Sequence, residues 1–126
     1  MSEKIVCVDV GLKRIGVAFG FKGIAVPLSP ILRKNRNQAA SDLAKILNEY
    51  DAKILVVGVP KGGASEDEMR RRIEHFISLV NFSGDIVYQN EAFSSFEASD
   101  LANDGRDGKF DSISAMIILK RYLKIT

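Results

Sequence analysis

With 126 residues, 46% of them hydrophobic, and a formal charge of +2, the chain has material for one core and too little length for a second, so residues 1–126 are expected to form a single domain. Its one cysteine, Cys7, excludes an internal disulfide framework, and no apolar run approaches the ~18 to 20 residues that span a bilayer. The start, Met1-Ser2-Glu3-Lys4, lacks the basic opening and long apolar stretch of a secretion signal, and the expectation is a soluble cytoplasmic protein with no membrane contact.

The first predicted element is a strand over residues 4 to 9, whose apolar run Ile5-Val6-Cys7-Val8 ends on Asp9-Val10-Gly11. A run without alternation reads as a strand covered on both faces, where an unpartnered carboxylate costs several kcal/mol or gives up its charge. Asp9 therefore needs a partner. The glycines beside it let a ligand come close, and that partner is a metal ion or a phosphate. Residues 15 to 20 form a second strand and 24 to 31 a third, joined through Gly20-Phe21-Lys22-Gly23. A helix from about 36 to 50 follows, with Ala40, Leu43, Leu47 and Tyr50 at helical spacing.

Ile54 to Gly58 is a short apolar strand, followed by the loop Pro60-Lys61-Gly62-Gly63. Ser65 and Glu68 have the spacing of a capping box, and Met69, Ile73, Phe76, Ile77 and Val80 form the buried stripe of a second helix. Asp85 to Gln89 is a fifth strand that delivers Asn90-Glu91 to its end. Ser94 and Glu97 repeat the capping-box spacing and open a short helix through Leu101, before the turn-rich stretch 103–108. A last helix starts near Asp111 and carries Ile113, Met116, Ile117, Leu119 and Leu123.

Helical crossovers between strands imply parallel pairing, so the first, fourth and fifth strands are expected side by side, with the hairpins on the other edge. Ligands of such sheets bind beyond the carboxyl ends of the parallel strands. Asp9, the Pro60 loop and Glu91 then meet at one edge. The basic clusters Lys13-Arg14, Arg33-Lys34-Asn35-Arg36, Arg70-Arg71-Arg72 and Lys109 are solvated faces unless they share that edge, in which case they form a polyanion footprint.

Four segments together resemble one family: Asp9-Val10-Gly11-x-Lys13-Arg14-Ile15-Gly16-Val17-Ala18, Val56-Val57-Gly58-Val59-Pro60, Glu91-x-x-Ser94, and Lys109-x-Asp111-x-x-Ser114-Ala115-x-x-Ile118-Leu119-x-x-Tyr122-Leu123. They are similar, in order and over nearly the whole chain, to the YqgF family of bacterial ribonuclease H-like proteins, associated with precursor 16S rRNA processing and with Holliday junction resolution. The resemblance implies an α/β ribonuclease H-like fold, a five-stranded mixed sheet flanked by helices, and a hydrolase that cuts phosphodiesters with a divalent metal. Asp9, Glu91 and Asp111 would be the catalytic and metal-holding acids, Asp9 in the bridging role. Mg2+ or Mn2+ would be the cofactor, since hard cations prefer carboxylate oxygens and keep exchangeable waters. Nucleic acid would be the partner, precursor rRNA before branched DNA, contacted by Lys13, Arg14, Lys61 and Lys109. A monomer or weak homodimer is expected.

Each acid also has a plainer reading: Glu91 as an ordinary charge past a strand, Asp111 as a helix N-cap. The family usually carries Asp-Glu-Arg where this chain has Asn90-Glu91-Ala92, so a carboxylate and a bidentate phosphate donor are missing, and Lys13, Arg14 or Lys61 would take over that duty. His75 is read as a surface residue, and Phe93, Phe96 and Phe110 as core rather than base-stacking groups. Gly62-Gly63 lacks the ending of a P-loop. Two other classes remain: a nucleic-acid-binding protein that does not cut, and a sugar-kinase or actin-like ATPase, which would need two such domains.

Overall fold

The computed structural model describes residues 3–11, 13–60, 66–91 and 109–123. Five strands, β1 (Ile5–Val10), β2 (Arg14–Phe21), β3 (Ile24–Leu32), β4 (Ile54–Pro60) and β5 (Asp85–Glu91), form one sheet in the order β3-β2-β1-β4-β5. Helices α1 (Arg36–Glu49), α2 (Glu66–Val80) and α3 (Lys109–Leu123) cover it. β1 runs antiparallel to β2 and parallel to β4, which is parallel to β5, as the order of elements predicts. The fifth strand continues to Glu91, and the last helix begins at Lys109, so Asp111 lies within its first turn and is not its N-cap. The helix predicted from Ser94 to Leu101, the stretch 103–108, and Ser65 of the Ser65–Glu68 capping box lie outside the described residues.

Strand alternation divides the core. Val6 and Val8 point with Ile15, Val17, Leu55 and Val57 toward the apolar faces of α1 and α2. Ile5 and Cys7 point the other way, with Ala18 and Val56, onto Ala115, Ile118 and Leu119 of α3. Both faces of β1 are thus dry, as its unbroken apolar run requires. Cys7 is fully buried, a small apolar group in that second layer. α3 lies close to the sheet because small residues stand beneath it. A Cβ built on Gly58 would fall 2.5 Å from the Ile118 Cδ1.

Two polar ties fix helices to the sheet. The Asn35 side chain accepts from the Gln38 N–H at 2.8 Å, and the Gln38 carbonyl oxygen accepts from the Asn35 N–H in return, a capping box at the start of α1. Gln38 also donates to the Leu32 carbonyl at 3.0 Å, joining that helix start to the end of β3. On the other face the buried Ser112 hydroxyl accepts from the Val17 N–H at 3.3 Å, beside the register shift between Ile15 and Val17 in the β2–β3 ladder. No helix among the described residues is long and apolar enough to cross a membrane.

Ser112→Ala removes the acceptor of a buried N–H and is expected to destabilise the protein by about 1–3 kcal/mol. Urea unfolding followed by far-UV circular dichroism measures it; a midpoint equal to wild type would show that the tie contributes nothing.

Candidate active site

The carboxyl ends of the three parallel strands meet at one edge. Asp9 is half-buried there, in register with Gly16 on β2 and Gly58 on β4. Alternation from Cys7 puts it on the α3 face, and the residues on either side of it have no side chain. The room that Gly58 leaves is taken up by Ile118 of α3, so the carboxylate is open only toward the end of the sheet, where it is half-buried.

Glu91 stands opposite Pro60, one same-face step beyond the pair Gly58–Gln89, which continues Asp9's own row. At ~4.8 Å between strands and ~3.3 Å per residue, its backbone lies roughly 10 Å across and 7 Å along from Asp9. Asp111 precedes Ser112, whose hydroxyl is bonded to the N–H that follows Gly16, the β2 partner of Asp9. The backbone thus brings all three predicted acids to one edge. Among their side chains only that of Asp9 is described, and among the described residues no three His, Cys, Asp or Glu side chains converge.

Two of the predicted cations, Lys13 and Arg14, stand at the same edge. Lys13 and Arg14 are exposed on the β1–β2 connection, which closes through the Gly11 N–H donating to the Arg14 carbonyl at 3.0 Å. Gly11 has no room for a side chain, since a Cβ there would lie 2.5 Å from that carbonyl oxygen. Lys61 follows Pro60 and Lys109 opens α3, but Lys61 and the Lys109 side chain lie outside the described residues. His75 is exposed on α2, as expected.

Three arginines at this edge belong to basic clusters that the sequence marks, though not to the residues expected to contact nucleic acid. Arg33 donates from Nη1 to the Gly11 carbonyl at 2.9 Å, and its backbone N–H donates to the Lys13 carbonyl at the same distance. Arg33, Arg36 and Arg72 line a cavity of about 200 Å³ against Val10 and Gly11. Two of the basic clusters therefore do share the edge, which a linear reading could pose as a question but not answer. Tyr88, whose phenol is held above its ordinary pKa first by burial and then by Glu74, packs on the α2 side of β5, away from Asp9.

A mixed sheet in this order, with an acid ending its first strand and a helix crossing that face, defines a ribonuclease H-like fold of the kind used by junction resolvases. Thermus thermophilus RuvC in complex with a Holliday junction substrate superposes with a TM-score of 0.62 at 11% identity, over 98% of this chain and 96% of that one. The fowlpox virus Holliday junction resolvase gives 0.56 at 15% identity, over 98% and 99%. The chain belongs to the RuvX family, described as Holliday junction resolvase and equivalent to YqgF, whose model matches residues 3–125. A relative from Sulfurimonas denitrificans is 52% identical, with 96% of this chain and 97% of its own length aligned. One from Campylobacter lari is 51% identical, over 98% and 99%. Both carry the name "Putative pre-16S rRNA nuclease".

Gly11→Ala places a methyl against the Arg14 carbonyl and should cost about 1–3 kcal/mol. Faster hydrogen exchange of the residue 11 amide would localise the damage to the turn. Lys13→Ala, at an exposed position, should stay within about 0.5 kcal/mol of wild type; equal losses in both would remove the steric explanation.

Proposed function

We propose that the protein is a divalent-metal-dependent endonuclease for structured nucleic acid that processes the 5′ end of precursor 16S rRNA in the cytoplasm. One observation carries the reading: the ends of β1, β4 and β5 and the first turn of α3 gather Asp9, Glu91 and Asp111 at a single sheet edge. The substrate follows from the relatives at 52% and 51% identity, named for precursor 16S rRNA cleavage.

The donor set fits a hard cation. Carboxylate oxygens are the ligands such ions prefer, and Asp9 stands half-buried at the end of its strand, beyond the fully sealed run before it. Asp9, Glu91 and Asp111 would hold Mg2+ or Mn2+. When bound, such ions activate the attacking water and stabilise the leaving oxygen of an in-line displacement. The chain's own contribution is placement. Lys13, Arg14, Lys61 and Lys109 would fix phosphates around the acids, so that the reacting phosphodiester is oriented before reaction. A monomer suffices for a single cut, whereas paired cuts ask for a homodimer.

Junction resolution is the second reading, favoured by the family's description and by the resolvase folds among the structural neighbours. Labelled precursor 16S rRNA and a four-way DNA junction, incubated side by side with Mg2+ or Mn2+, separate the two. Metal-dependent RNA cutting is expected, falling at least about 100-fold in Asp9→Asn while the fold persists. Symmetric paired cuts in the junction would move the assignment to resolution. A folded wild type that cuts neither would make the protein a nucleic-acid binder.

A further inference from the structure

The opposite face of the same edge carries a separate constellation. Arg33 follows β3, Arg36 is the first residue of α1 and Arg72 lies on α2, yet all three reach one groove of about 200 Å³ beside Val10 and Gly11. Val10 belongs to the layer facing α1 and α2, whereas Asp9 alternates onto the α3 face. The arginines therefore adjoin the acidic site across the sheet's edge and stand apart from it.

Their chemistry is that of a phosphate cradle. Arg33 is immobilised twice, by its bond to the Gly11 carbonyl and by stacking 5.3 Å from the Phe76 ring centroid. Arg72 is held from Nη2 by Glu68 Oε1 at 2.7 Å. That carboxylate offsets one of three positive charges and leaves a net +2 in the groove, by 3 − 1. Each guanidinium has five N–H donors, so those held by one bond keep others for an incoming oxygen. Like charges gathered in so small a space favour an anion among them. The start of α1, capped by Asn35, adds the positive end of its dipole.

We propose that this groove binds a backbone phosphate of the nucleic acid, next to the scissile one on the same strand. The proposal rests on the nuclease reading above and deepens it. Asp9 and Val10 are neighbours in the chain, so a strand whose reacting phosphate lies at Asp9 has only to cross the sheet edge to set a flanking phosphate among the arginines. Guanidinium forks match phosphate oxygens in pairs, and contacts of this kind position a strand without reading its sequence.

The test uses full-length protein with Arg36→Gln, Arg72→Gln and the double variant, binding a labelled precursor 16S rRNA fragment in Ca2+ over a series of KCl concentrations. Each single change should weaken binding about ten-fold and lower the slope of log affinity against log salt by roughly 0.7–0.9. In Mg2+, KM should rise while kcat stays within about two-fold, as expected for uniform binding. Arg71→Gln, on the same helix but outside the groove, should change neither slope nor KM. Glu68→Gln frees the Arg72 guanidinium and should tighten binding, a gain that misfolding cannot mimic.

Unchanged affinity and slope in the double variant, with wild type binding normally, would overturn the groove and leave the nuclease reading standing. Cutting that survives Asp9→Asn would overturn the acidic site while the salt slopes still judge the groove. A wild type that binds no RNA at any salt concentration would overturn both.

Discussion

Everything at the functional edge depends on the double burial of β1. Val6 and Val8 are sealed by α1 and α2, and Cys7 is sealed by α3, each with no exposed surface. A strand covered on both faces can hold no charge along its length, because a carboxylate moved out of water without compensation costs several kcal/mol. The first position where cover runs out is Asp9, half-buried at the end. β4 obeys the same rule, with Leu55, Val56 and Val57 fully enclosed and its polar continuation beyond Pro60. Parallel pairing then makes the permitted positions coincide. Along β1 and β4 a charge is tolerated only beyond the sealed run, and the candidate site stands at that carboxyl edge.

How α3 approaches that edge is a second consequence of side-chain size. Ile118 fits against the sheet because Gly58 is bare, and Cys7, Ala18 and Ala115 keep the layer thin. Burying Ile118 and Leu119 contributes about 1.5–3 kcal/mol each, but non-directional burial would allow the helix to slide. The Ser112 bond to the Val17 N–H supplies the missing register, since a buried hydrogen bond is satisfied at one position only. That lock fixes the turn containing Asp111 relative to Gly16 and so to Asp9.

Local features and the strand pairing implied by the helical crossovers were legible in the sequence, and side-chain contacts between distant segments were not. The unbroken run Ile5–Val8 announced a doubly buried strand, and the helical spacing of Ala40, Leu43 and Leu47 announced α1, because both are written within one element. The Asn35–Gln38 capping box was equally local and went unread; Asn three residues before Gln at a helix start is the same signal as the Ser–Glu pairs that were noticed. Ser112 is different. Its partner is 95 residues away, and a serine on an otherwise apolar helix gives no hint of which strand it will satisfy. The arginine groove is hidden for the same reason, since positions 33, 36 and 72 become neighbours only once α1 and α2 pack together over the end of β1.

That groove bears on a place where the chain leaves its family's pattern. An alanine at position 92 removes the arginine usually found beside the glutamate, and sequence reasoning assigned its work to Lys13, Arg14 or Lys61. The structure offers guanidinium groups instead, on the other face. The location has an electrostatic advantage. A cation on Asp9's own face competes with a metal for the carboxylate, because an ion pair satisfies the same oxygens. Arg33 is held by the Gly11 carbonyl and the Phe76 ring, and Arg72 by Glu68. Their positive field still reaches the edge, where it draws a polyanion inward. On the proposed assignment, the thickness of one strand would separate the phosphate-holding charge from the metal-holding charge, so that each keeps its own ligand.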